Sequence, residues 1–142
     1  MFITNDIKYI GVNDHKIDLF EGKYEVPNGM AYNSYVIIDE TQVLVIDLGN
    51  PYQDTHFREL VEKIAQGKVI KVAITHNHFD HIGAIEQFKD CEIYYHPNDP
   101  IFNLSYPKEV IEGDKIQLDT LCFEVLEVPA HTPGSIAFLE RN

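Results

Sequence analysis

Thr75-His76-Asn77-His78-Phe79-Asp80-His81-Ile82-Gly83 is the stretch from which the rest of the chain is read. Three histidines and one aspartate fall within six positions, His76 to His81. In extended backbone, side chains two residues apart project to the same side. His76 and His78 can therefore grip one metal ion together. Asp80 and His81 lie where the chain turns into a helix, so they can point at a neighbouring position. Imidazole and carboxylate together suit zinc, iron or manganese rather than calcium. A solvated polar loop would rarely gather three histidines and an aspartate in so short a space.

The flanks strengthen this reading. Val69-Ile70-Lys71-Val72-Ala73-Ile74-Thr75 is a short apolar strand, and Ile82 to Phe88 reads as a short helix. A loop held between two rigid elements is a good place for chemistry. Further out, Phe57, Leu60, Val61, Ile64 and Ala65 recur at helical spacing, with Asp54 or Thr55 to cap the start and Gly67 after the end. Residues 33–38 and 43–48 flank the polar Asp39-Glu40-Thr41-Gln42 and predict a hairpin. Residues 7–12 read as a first strand, and residues 17–26 alternate loosely and end at the Pro27-Asn28-Gly29 turn. Strands are also expected at 92–95, 115–118, 121–128 and 135–140, with Pro97 to Pro107 a loop or single turn. The order is mostly β with helices after the middle strands, and there is no internal repeat. That predicts one α/β domain over residues 1–142, layered around a mixed sheet.

A second element bears on the histidines. Val128-Pro129-Ala130-His131-Thr132-Pro133-Gly134-Ser135 puts a histidine in a tight turn between two predicted strands. Alone, His131 would read as a surface loop residue. Beside the first cluster it is the natural third histidine for one ion. Three neutral imidazoles and a water form the open four-coordinate arrangement of catalytic zinc. Such an ion lowers the pKa of its water to about 7.

Composition excludes several classes. Of 142 residues, 44% are hydrophobic and 24% charged, which is ordinary for a globular chain. Eleven Lys and Arg face 23 Asp and Glu, for a net charge of −12. No basic stripe exists to bind nucleic acid. The longest apolar runs, such as Val43-Leu44-Val45-Ile46, fall far below the ~20 residues of a membrane-spanning helix. Cys91 and Cys122 form no C-x-x-C pair and read as buried free thiols. Met1 to Asp6 has neither the basic nor the apolar region of a signal peptide. Together these favour the cytoplasm.

Residues 75–83 resemble the H-x-H-x-D-H signature of the metallo-β-lactamase superfamily. Ala130-His131-Thr132-Pro133-Gly134-Ser135 is similar to that family's H-T-P-G turn, and Val45-Ile46-Asp47-Leu48-Gly49 to its early aspartate motif. The resemblance implies an αββα sandwich of two similar halves with a one- or two-metal site at the sheet edge. It puts His76, His78 and His131 on the first ion, and Asp80 and His81 on a second. Asp80 is also the candidate catalytic residue, orienting the attacking water. Asp47, Thr75 and Thr132 would support the ligands from behind.

The family also places a bridging aspartate and a late histidine after this turn, and neither follows Ser135 to Asn142. The expectation is a domain truncated to about its first half, holding one ion or a weak pair. Two short helices would not cover Val43, Leu44, Val45, Ile46, Val69, Ile70, Val72 and Ile74. A homodimer in which a second copy replaces the missing half is therefore expected. Residues 20–35, from Phe20 to Tyr35, also resemble the opening of flavodiiron proteins, which reduce oxygen or nitric oxide at a di-iron site in this fold. Those proteins normally carry Glu where this chain has His78, and continue into a flavodoxin domain.

The leading expectation is a metal-dependent hydrolase acting on a small-molecule ester, thioester or related bond, with zinc as cofactor and iron or manganese as alternatives. A di-iron oxidoreductase fragment and a metal-binding domain without turnover are the competing readings. His15 and His56 are expected to be exposed; His96 follows a strand and could approach the site, with a surface role the expectation. Phe102 and Tyr106 are weaker candidates for lining a cleft.

Overall fold

The computed structural model describes residues 6–10, 12–14, 19–20, 24–25, 30–49 and 56–141. Its larger sheet has six strands in the order β1-β6-β7-β8-β9-β10. They are β1 (Ile7–Tyr9), β6 (Tyr35–Ile38), β7 (Gln42–Ile46), β8 (Val69–Ala73), β9 (Glu92–Tyr95) and β10 (Tyr106–Glu109). β1, β6 and β7 pair antiparallel, whereas β7 through β10 run parallel. A second, antiparallel sheet contains β11 (Lys115–Gln117), β12 (Cys122–Glu127) and β13 (Ile136–Arg141). Two small ribbons pair β2 (Val12–Asp14) with β5 (Met30–Tyr32), and β3 (Leu19–Phe20) with β4 (Tyr24–Glu25).

Strand alternation explains the layers. Successive side chains point to opposite faces of a sheet. Val36, Val43, Val45 and Val72 face one way, into a core with α1 (Phe57–Ala65) and the 3-10 helix Ile85–Phe88. Their neighbours Ile37, Leu44 and Ala73 face the other way and pack on Ile116, Leu118 and Phe123 of the small sheet region. The chain thus stacks helix, large sheet and small sheet. Phe57 and Phe88 meet edge-on at 6.0 Å between centroids, joining the two helices under the sheet.

This stacking corrects one expectation. Val43, Leu44, Val45 and Val72 are fully buried and Ile74 nearly so, because the small sheet covers the face the helices leave. Only Val69, at 59% exposure, stands out in the predicted exposed set. The apolar face that motivated a covering second copy is therefore already covered within the chain.

Other elements shift for local reasons. β10 was expected to be loop as far as Pro107. It forms as an edge strand, where a residue without an N–H is tolerated. The helix expected over Ile82 to Phe88 is instead α2 (Phe79–Ile82) and the 3-10 turn that follows. Between them the Gly83 and Ala84 N–H groups donate to the Gly49 and Leu48 carbonyls (2.7 and 3.0 Å), which breaks the helical ladder. The proposed caps Asp54 and Thr55 lie outside the described residues. α1 ends with Gln66 and Gly67 in left-handed backbone, at φ 51 and 87. Cys91 is buried and Cys122 half-buried, and burial pushes the Cys91 thiol up to about 11. No helix among the described residues is long and apolar enough to cross a membrane.

Candidate metal centre

Parallel pairing puts the C-terminal ends of β7, β8 and β9 on one edge of the large sheet. Loops at that edge are where open α/β sheets bind ligands. β7 runs out into Asp47, β8 into His76, and β9 into the His96-Pro97-Asn98-Asp99 turn. The β12–β13 connection brings His131 to the same place: the Ile136 N–H donates to the Thr75 carbonyl at 2.9 Å.

His76, His78 and His131 converge there. Each offers a ring nitrogen, and the three nitrogens lie within 4.8 Å of one another. His78 Nδ1 and His131 Nε2 are 3.0 Å apart. Two nitrogens bound to one tetrahedral zinc at ~2.0–2.1 Å would stand roughly 3.3 Å apart, so the His78–His131 pair is already near that spacing, and the set as a whole, within 4.8 Å, would draw closer around an ion. The rings of His76 and His131 meet edge-on at 4.8 Å, and those of His76 and His78 at 4.9 Å.

Asp47 organises the back of the site. It is buried, at 4% exposure, and sits in left-handed backbone at φ 63. Aspartate is among the few residues enriched there. Its Oδ1 accepts the Thr75 N–H at 2.8 Å, and its Oδ2 accepts the Thr75 hydroxyl at 2.7 Å. The carboxylate can only accept, so the hydroxyl proton points at Asp47 and the Thr75 oxygen must accept from His76 Nδ1, 3.1 Å away. That fixes the tautomer: His76 Nε2 carries the lone pair toward the site. Asp47 Oδ2 also lies 2.7 Å from His81 Nδ1, which makes Nε2 the unprotonated nitrogen of a neutral His81. Carboxylate and hydroxyl partners of this kind orient metal-binding histidines.

Burial pushes the His76 imidazole down to about 4, with the neighbouring His81 adding to the effect and Asp47 opposing it. The ring is thus neutral at physiological pH, the form that binds metal. The His81 ring packs against that of His76, with centroids 3.9 Å apart. Asp80 lies on α2, and its side chain is outside the described part of the structure. Thr132 is buried, and its hydroxyl donates to Asp99 Oδ2 at 2.6 Å and lies 2.6 Å from Ser135 Oγ.

Two further residues stand beside the histidines: Asp99, which no motif singles out, and His96, for which a surface role is the expectation. His96, expected at the surface, is 5% exposed. Its Nδ1 accepts the Asn98 N–H at 3.0 Å and its Nε2 donates to Glu127 at 2.8 Å. Asp99 is equally buried, at 4% exposure. The signal available in sequence was the His-Pro-Asn-Asp-Pro turn directly after a strand: once β8 and β9 pair in parallel, that turn must lie beside the histidine loop. Phe102 and Tyr106 are exposed, at 76% and 56%.

Residues 27–142 match the metallo-beta-lactamase superfamily, and the chain belongs to that family. An uncharacterised protein of Aquifex aeolicus is 31% identical over 140 residues, covering 82% of this chain and 64% of that protein. A hydroxyacylglutathione hydrolase of Legionella pneumophila is 33% identical over 73 residues, covering 49% of this chain and 28% of that enzyme. The flavodiiron protein from Giardia intestinalis superposes with a TM-score of 0.82 at 17% identity, over 97% of this chain and 36% of the other. A subclass B3 metallo-beta-lactamase of Bradyrhizobium japonicum gives 0.63 at 21% identity, over 75% and 49%. The fold is therefore the metallo-β-lactamase fold, and the chain spans 64% of the Aquifex relative and under half of either structure.

Proposed function

We propose that this chain carries the metal site of a metal-dependent hydrolase that cleaves an ester, thioester or related bond, with zinc as its ion. One observation carries the reading: the convergence of His76, His78 and His131 from two separate loops at one sheet edge. A bound zinc ion would supply a Lewis acid and, at neutral pH, a hydroxide nucleophile.

The chain's own groups have distinct tasks. His76, His78 and His131 hold the ion through neutral imidazoles. Thr75 and Asp47 fix the His76 ring, and Asp47 fixes His81. His81 and Asp80 would serve a second, weaker position, and Asp80 would be the group to orient a water there, as the family resemblance implies. The similarity to a protein named as a hydroxyacylglutathione hydrolase supports hydrolysis. So does His78, at a position where flavodiiron proteins normally carry Glu.

Elemental analysis of the purified chain should find zinc, and a thioester or ester substrate should turn over only while it is present. His76→Ala should reduce that turnover to background. Iron in place of zinc, with oxygen consumption from a flavoprotein donor, would replace this reading by the di-iron one. Bound metal without turnover of either kind would leave a binding domain only.

A further inference from the structure

Asp99 belongs to neither metal motif, yet it touches both. It stands on the turn after β9, buried to 4% exposure. Its Oδ2 accepts the Asn77 N–H at 3.1 Å and the Thr132 hydroxyl at 2.6 Å, while its Oδ1 accepts the Gly134 N–H at 2.8 Å. Asn77 lies between His76 and His78, and Thr132 directly follows His131. One carboxylate therefore spans two loops that supply the three imidazoles and are far apart in sequence. A buried carboxylate is costly unless its oxygens are satisfied, so the bonds to the two loops must form together.

Neighbouring contacts tighten the same joint. The Asn77 side chain donates to the Pro100 carbonyl at 3.2 Å. His96 holds Glu127, just before the His131 turn, at 2.8 Å. Gly134 sits so close that an added Cβ would lie 2.5 Å from the Asp99 backbone nitrogen. The turn is pressed against the 96–100 loop, and Asp99 is the polar group in the contact.

We propose that Asp99 is a positioning residue for the metal centre: by binding Asn77, Thr132 and Gly134 at once, it sets the separation between the His76–His78 pair and His131. The proposal rests on the three-histidine reading above. It does not make Asp99 a ligand. Its carboxylate oxygens are committed to the two loops.

The test titrates zinc into the metal-free full chain by calorimetry, alongside melting curves of the metal-free forms. Asp99→Ala should weaken zinc binding about 10–100-fold, the range for groups that support ligands from behind. Asp99→Asn should fall between parent and Ala, since its amide keeps one acceptor but opposes a second donor. The cobalt(II) absorption of both variants should depart from that of the parent, because the ligand geometry changes. A folded Asp99→Ala or Asp99→Asn chain that binds zinc within about twofold of the parent, with the same cobalt spectrum, overturns the proposal. If neither variant folds, Thr132→Val removes one of the three bonds, together with the contact of that hydroxyl to Ser135 Oγ; unchanged affinity there overturns the proposal too. A parent chain that takes up no zinc, iron(II) or manganese(II) instead overturns the three-histidine reading, which separates the two failures.

Discussion

Asp47 shows how one side chain carries both a backbone and a chemical duty. Its left-handed φ of 63 would cost most residues about 1–2 kcal/mol, and its carboxylate collects Thr75 twice and His81 once. Asp47→Ala should therefore act on two observables. Melting of the metal-free chain should drop by the backbone cost plus the lost bonds, and zinc affinity should fall about 10–100-fold because His76 and His81 lose their anchors. Asp47→Asn tolerates the same backbone region, so its loss should be concentrated in metal affinity; equal melting losses for the two variants would contradict this division. At Gly134 the constraint is space. Gly134→Ala would place its Cβ 2.5 Å from the Asp99 nitrogen and 2.9 Å from the Asn98 carbonyl carbon. Backbone atoms cannot retreat as a flexible side chain would. A loss of roughly 1–3 kcal/mol is expected in a denaturant melt, together with weaker zinc binding. The histidines were legible in sequence because their spacing is itself the signal. Asp99 and His96 were not, because their value comes from partners 33 and 31 residues away.

At the scale of elements, the period-2 pattern of the strands was legible but its consequence was not. Val43-Leu44-Val45 reads as a uniform apolar run, and only the positions of two layers show that Leu44 faces one core and its neighbours the other. The strands of the small sheet were recognisable one by one. Nothing in their local sequence says that Ile116 and Phe123 lie across Leu44, since that contact depends on how β11 and β12 return over the large sheet. β10 was missed for a related reason: Tyr106-Pro107-Lys108-Glu109 is exposed throughout, so it has no apolar alternation to read, and it is a strand only because β9 offers its edge. The layering makes a direct prediction. Leu44→Ala, fully buried between the sheets, should cost about 2–5 kcal/mol. Val69→Ala, on the adjoining β8 at 59% exposure, should stay within roughly 0.5 kcal/mol. Comparable losses at both sites in urea melts would mean that the small sheet does not cover this face.

Across the whole molecule, the two sheets are joined by a reciprocal pair of aspartates far from the metal site. Asp39, in the turn after β6, accepts the Thr120 N–H and hydroxyl and the Leu121 N–H at 2.8–2.9 Å. Asp119, in the turn after β11, accepts the Thr41 N–H and hydroxyl at 2.6 Å and the Gln42 amide at 3.1 Å. Each carboxylate thus caps the turn that carries the other. Burial opposes ionisation of Asp39, but the Thr120 and Leu121 donors outweigh it and hold the carboxyl below its ordinary value. The Thr41 hydroxyl and N–H bring Asp119 down to about 2. Both folded values lie below the unfolded value of about 3.8, so the unfolded chain binds more protons in between, and stability rises with pH there. The contribution is complete above about pH 4–5 and is lost as the pH falls through the folded values toward 2. A chain of net charge −12 also has an opposing trend, because protonating its other carboxylates relieves repulsion. The two are separated by mutation rather than by the parent's curve alone. Asp39→Asn combined with Asp119→Asn should lower stability at pH 7, where both clasps are intact in the parent, and should leave it nearly unchanged at pH 2, where the parent has lost them as well. Urea melts between pH 2 and 7 would therefore converge at the acid end. Parallel curves, with the same offset at both ends, would show that these aspartates hold the sheets together by shape and not by charge.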